Sequence, residues 1–116
     1  MLAGIIDSPC GNVFSIQKAL DYLGFDNFLV TSSKDFSKIN KLILPGVGNF
    51  GFLTNYLKEK EMFDSICNFI NDGRHYLGIC LGSQILCKHS EEDNMNAKGF
   101  SLINCNVINL RKRNSK

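Results

Sequence analysis

Short apolar runs alternate with stretches of helical spacing, and this alternation constrains the fold more than any other feature. The run LAGIID (2–7) is followed by NVFSIQKALDYLG, where Val13, Ile16, Leu20 and Leu23 recur at helical intervals and Gly24 is placed to end the helix. NFLVT (27–31) and KLIL (41–44) read as a second and third strand, the third stopping at Pro45. FLTNYLKEKEM reads as helical, and MFDSICNFINDG places Phe63, Ile66, Cys67 and Ile70 at i, i+3, i+4 and i+7 before Gly73. YLGI (76–79) is a fourth strand, GSQILCKH a helix of about two turns, and FSLINCNVINL (100–110) one or two further strands. Strands separated by helices predict an α/β fold with a mostly parallel sheet and helices on both faces. Continuous apolar runs suit strands buried on both sides.

The 116 residues suffice for one compact domain. With 44% hydrophobic and 21% charged residues, the chain reads as globular rather than disordered. No apolar run reaches the ~18 residues of a membrane span, and MLAGIID lacks the pattern of a secretory signal. The expectation is a cytoplasmic protein. Of the formal charge of +2, Arg111, Lys112, Arg113 and Lys116 supply +4, which leaves about −2 on the other 110 residues. That balance argues against a nucleic-acid face on the body and sets residues 111–116 apart as a basic tail. The five cysteines, Cys10, Cys67, Cys80, Cys87 and Cys105, are odd in number and form no CxxC or Cys/His cluster. Neither a disulfide framework nor a metal site is expected, and no cofactor is called for.

In a parallel sheet, the turns DSPCGN, PGVGNFG and CLGS all fall beyond the carboxyl ends of their strands, where open α/β sheets bind ligands. Within the last turn, Gly78, Cys80 and Gly82 form GxCxG, the cysteine form of a strand–nucleophile–helix elbow. A helix starting near Gly82 would point its amide dipoles at Cys80 and favour the thiolate. Spacing alone leaves open a core cysteine flanked by incidental glycines. Acyl transfer also needs donors for an oxyanion. The N–H of Leu81 is one, and the turn PGVG offers Val47 or its flanking Gly46 and Gly48. That turn could equally just end a strand. The two histidines do not fit as a base. His75 starts the strand that ends at Cys80, roughly 16 Å away, and His89 lies about 13 Å along the following helix.

GICLGSQ, LILPGVGNFG, IID…GN…SIQKALDYLG and SEED…GFSLI, in this order, closely resemble class I glutamine amidotransferases, above all the glutaminase subunits of imidazole glycerol phosphate synthases and their paralogues. The resemblance covers nearly all of residues 3–110 and implies a flavodoxin-like fold. It implies that Cys80 hydrolyses glutamine through a thioester, that residues 45–48 form the oxyanion turn, and that the ammonia passes to a synthase or cyclase partner subunit. Gln84 and Glu92 match glutamine-binding positions; without the resemblance, they read as a helix-surface residue and part of a solvated acidic turn.

Two departures stand beside it. The family's catalytic histidine and glutamate lie in a later stretch than any matched here, so the expectation is an N-terminal part, residues 1–110, truncated and inactive alone. Where the family has DYGxGN, this chain has Asp7-Ser8-Pro9-Cys10-Gly11-Asn12, and Pro9 fixes φ. A non-catalytic partner-binding module and another cysteine-elbow α/β hydrolase remain as alternatives. A phosphate-binding loop does not, for want of GxxxxGK[ST]. A sheet edge left open would invite self-association.

Overall fold

The computed structural model describes residues 2–91 and 97–110. Four strands, β1 (Leu2–Ile6), β2 (Asp26–Val30), β3 (Lys41–Gly46) and β4 (His75–Cys80), form one parallel sheet in the order β2-β1-β3-β4. The helices are α1 (Val13–Tyr22), α2 (Phe50–Glu59), α3 (Phe63–Asn71) and the single turn α4 (Leu81–Gln84), with a 3-10 turn at Ser33–Lys38 between β2 and β3. This strand order is the flavodoxin-like doubly wound arrangement, whose switch point lies between β1 and β3.

Alternation along the central strands sorts the core onto two faces. Ile5 and Ile43 point to one side and pack with Val13, Ile16 and Leu20 of α1 and with Leu29. Ile6, Leu42 and Leu44 point to the other, into the larger cluster built on Phe50, Leu53 and Leu57 of α2 and Ile66 and Phe69 of α3. Phe50, Leu53, Leu57, Ile66 and Phe69 are fully buried. Each such side chain is worth about 1.5–3 kcal/mol of transfer free energy, so this face carries most of the stability. Asn12 and Asn49 start α1 and α2 by accepting from Ser15 N–H (3.4 Å) and Phe52 N–H (2.9 Å). Leu23, expected on the buried stripe of α1, follows the last helical turn and is 67% exposed.

β3 does not stop at Pro45. It continues to Gly46, with Pro45 opposite Ile79 and Gly46 opposite Cys80 on β4. The proline is tolerated because β1 pairs with β3 only as far as Ile43, so that flank carries no further ladder.

Two further expectations fail for one shared reason. GSQILCKH forms only the one-turn α4, and residues 100–110 form no strand; only isolated bridges join His89 to Lys98 and Ser90 to Val107. The carbonyls of Ile85, Leu86 and Cys87, which a longer helix would give to its own later N–H groups, accept instead from Phe100 (2.7 Å), Leu102 (3.0 Å) and Ser101 (3.1 Å). Each segment thus satisfies the other's backbone, and neither can complete regular structure. Among the described residues, no helix is long and apolar enough to cross a membrane.

Candidate active site

At the end of β4 the chain turns sharply into α4, and Cys80 sits on the corner with φ 55° and ψ −113°. Positive φ is uncommon for a side-chain-bearing residue and costs about 1–3 kcal/mol. The surroundings hold it there. A Cβ on Gly82 would strike the carbonyl oxygen of Leu44, and one on Gly78 would strike the carbonyl oxygen of Gly82. Both glycines of GxCxG are therefore required by backbone packing and are not incidental. Ser83 Oγ donates to Cys80 O (2.6 Å), and the Tyr76 hydroxyl donates to Gly82 O (2.6 Å). Burial holds the Tyr76 phenol far above its ordinary range, with nearby Cys67 adding to the effect, so it stays a donor.

Cys80 is exposed, so the thiol is presented to solvent rather than packed in the core. It opens on a cavity of about 190 Å³ at the carboxyl edge of the sheet. Three turns line that cavity: Cys10, Gly11 and Asn12 after β1, Pro45, Gly46 and Val47 at the end of β3, and Ile79 and Cys80 at the end of β4, with Ser15 and Ile16 of α1. The expected convergence of the three glycine-containing turns is what the topology produces, at the switch-point edge. Gly46 is the register partner of Cys80, so the turn at 45–48 lies directly beside the thiol.

The groups proposed for an oxyanion divide in three ways. Leu81 is buried and is the first residue of α4, so its N–H has no partner four residues back within the helix. Val47 N–H is committed: it donates to Cys10 O (2.8 Å). The peptide that the sequence offered as a second donor is turned toward the β1–α1 loop in this structure. Gly48 holds φ 112° with nothing within 4 Å of where a Cβ would be, so the turn has room to reorient there. The one-turn length of α4 also changes the expected dipole argument. It offers Cys80 a few first-turn N–H groups rather than the sum of a long helix.

Gln84 is exposed on α4 but lines a different cavity, of about 220 Å³, with Ser90, Val107, Ile108 and Asn109. The structure does not bring it into the Cys80 cavity. Glu92 and the basic tail 111–116 lie outside the described residues. His75 stands at the start of β4, lining a separate apolar cavity with Ala3, Leu20 and Lys41, and His89 bridges to Lys98. Among the described residues, no histidine or carboxylate lines the Cys80 cavity and no cluster of metal-ligating side chains occurs.

Sequence reasoning missed Cys10 and Asn12 as cavity-lining residues. Cys10 is buried, and burial pushes its thiol up, so it is the protonated neighbour of the exposed Cys80. The signal available was position alone: both follow β1, at the edge where ligands bind.

A sequence profile described as a CobB/CobQ-like glutamine amidotransferase domain matches residues 5–116. The chain is 36% identical over 109 residues to the imidazole glycerol phosphate synthase subunit HisH of Geobacillus sp. (strain WCH70), covering 94% of this chain and 51% of that protein. It superposes on a crystal structure of a glutamine amidotransferase with a TM-score of 0.75 at 20% identity, over 91% of this chain and 55% of the other. A peptidase E protein from Listeria monocytogenes EGD-e gives 0.74 at 19% identity, over 89% and 63%. These two structures share the fold. The chain spans about half the length of the curated relatives it matches.

Proposed function

The chain belongs to the CobB/CobQ-like glutamine amidotransferase domain family, and on that premise we propose that residues 1–110 carry the nucleophile part of a glutaminase site with Cys80 at its centre. Cys80 Sγ attacks the side-chain amide carbon of glutamine. The N–H of Leu81 and an amide of the Gly46–Gly48 turn stabilise the oxyanion, ammonia leaves, and water cleaves the glutamyl thioester. For the turn to contribute its Val47 amide, that N–H must leave Cys10 O, a reorientation that Gly48 permits. Gln84 and Glu92, which match the family's glutamine-binding positions, are the residues proposed to hold the substrate's polar end; Gln84 must reach it from the neighbouring cavity that it lines in this structure. The observation that carries this reading is the exposed Cys80 at φ 55°, in register with Gly46.

The names of the relatives, subunits of imidazole glycerol phosphate synthase, support a role in histidine biosynthesis with ammonia handed to a second synthase subunit. A cytoplasmic location with reduced thiols belongs to the same reading. So does self-association through β4, which is one of the two edge strands of the sheet and leaves Leu77 55% exposed.

No histidine or carboxylate among the described residues lines the cavity, so this chain alone should release ammonia from glutamine far more slowly than a full-length relative. Release at a comparable rate would overturn that part. The same lining favours a second reading, a module that keeps the fold and binds a partner without catalysis. An electrophilic glutamine analogue separates the two. Selective modification of Cys80 over Cys10, Cys67, Cys87 and Cys105, abolished in Cys80→Ala, is expected for a formed site. Slow, uniform labelling of all five thiols would leave only the module.

A further inference from the structure

Two of the thiols outside the site described above touch each other. Cys87 follows the turn after α4, and Cys105 lies in the segment that packs against that turn. Their Sγ atoms are 2.6 Å apart, against about 2.05 Å for a sulfur–sulfur bond. Backbone ties on both sides hold them in place. Lys88 N–H donates to Cys105 O (2.8 Å), and Ser101 N–H donates to Cys87 O (3.1 Å). No other two thiols are in contact among the described residues. Cys105 is exposed and Cys87 half-buried, so a soluble oxidant reaches Cys105 first.

We infer that Cys87 and Cys105 form a reversible disulfide, an oxidation site addressed by a peroxide or a small-molecule disulfide. With hydrogen peroxide, the Cys105 thiolate attacks one peroxide oxygen, the O–O bond breaks, and Cys105 becomes a sulfenic acid with loss of hydroxide. Cys87 sulfur then displaces the sulfenic oxygen and its thiol proton leaves with it. The net change is two thiols and one peroxide to one disulfide and two waters. With a small disulfide, two exchange steps give the same bond and two small thiols. The new bond joins residues 18 apart in sequence. It fastens the turn after α4 to the segment that carries Val107, Ile108 and Asn109, three walls of the cavity that holds Gln84 and Ser90. Oxidation therefore locks that cavity's two sides together, whatever it binds, and the inference does not depend on the glutaminase reading.

The test is peroxide titration of the reduced full chain, followed by alkylation, non-reducing digestion and mass spectrometry. The expected product is a Cys87–Cys105 cross-linked peptide as the main disulfide, reversed by dithiothreitol. Limited proteolysis within residues 88–104 should slow several-fold on oxidation and recover on reduction. Cys105→Ser should lose both the cross-link and the protection while giving the same digest as the reduced parent. Sulfinic acid on Cys105 without a cross-link, a dominant disulfide involving Cys80, Cys10 or Cys67, or protection that persists in Cys105→Ser would each overturn the inference.

Discussion

The corner at residues 78–82 and the segment at 97–110 meet at Ile85, yet they are held in opposite ways. At the corner, the backbone is fixed by atoms that cannot move aside: Gly82 lies against the Leu44 carbonyl and Gly78 against the Gly82 carbonyl. In the segment, most residues beyond Phe100 are exposed, and the chain is tied to residues 85–91 largely by individual backbone hydrogen bonds and two isolated bridges. The corner spends packing energy to hold Cys80 in an unfavourable backbone conformation. The segment also holds a side-chain-bearing residue at positive φ, Ser101 at 56°, but no candidate catalytic residue. A site that must place one atom belongs on the first kind of scaffold.

Gly82→Ala tests this contrast with the largest expected effect. The new Cβ would meet a backbone oxygen of a buried strand, and neither side has a flexible end to give way. A loss of at least about 3 kcal/mol in urea unfolding is expected, beyond ordinary overpacking. Asn104→Ala in the exposed segment should stay within about 0.5 kcal/mol. Equal effects at both positions would erase the distinction.

Tyr76→Phe comes next. It removes the donor to Gly82 O while keeping the ring, leaving a buried carbonyl short of a partner. Destabilisation of about 1–2 kcal/mol is expected, with slower modification of Cys80 by the glutamine analogue, because the corner loosens. A neutral change in both readouts would mean that glycine packing alone holds it.

Cys80→Gly should act in the opposite direction. Releasing a side chain from φ 55° recovers about 1–3 kcal/mol of strain, against about 0.5–1 kcal/mol for the added freedom of glycine in the unfolded chain. A net gain of about 1 kcal/mol in denaturant unfolding, with analogue labelling at this position lost, is the signature of strain kept for function. A destabilised variant would show that Cys80 is not strained.

The same contrast explains what could be read in the sequence. The four strands and the first three helices were legible because short continuous apolar runs and period-3.6 patterns are local. The elbow was legible because Gly78 and Gly82 are demanded by atoms within a few residues or on the adjacent strand. That Val47 N–H is tied to Cys10 O was not legible, because this partner lies on another βα turn. Residues 100–110 are rich in apolar and β-branched side chains, as a strand would be. What decided their structure was the set of carbonyls at 85–87, already short of helical partners. Gln84 was read as a glutamine-binding position from the family resemblance alone, and it lines the cavity built with residues 107–109, whose position no local pattern encodes.

The last test belongs to the segment itself and is read by pH. Burial first, and then the hydrogen bond and charge of Cys105, push the Cys87 thiol up to about 11 from its ordinary value of 9.0. The folded chain therefore holds that proton more tightly than the unfolded chain. The resulting stability is complete below about pH 9 and is lost as pH rises toward 11. In the reduced protein, alkylation of Cys87 should reach half its maximal rate only near pH 11. Cys105→Ala removes the two lesser causes but not burial, so the midpoint should fall part of the way toward 9.0 and stop short of it. A midpoint at 9.0 in the parent chain would mean that Cys87 is as open to water as the rest of the segment. The hydrogen-bonded turn at 85–88 would then be no better ordered than the exposed residues it holds, and the boundary between the rigid corner and the loosely tied segment would move back to Gln84.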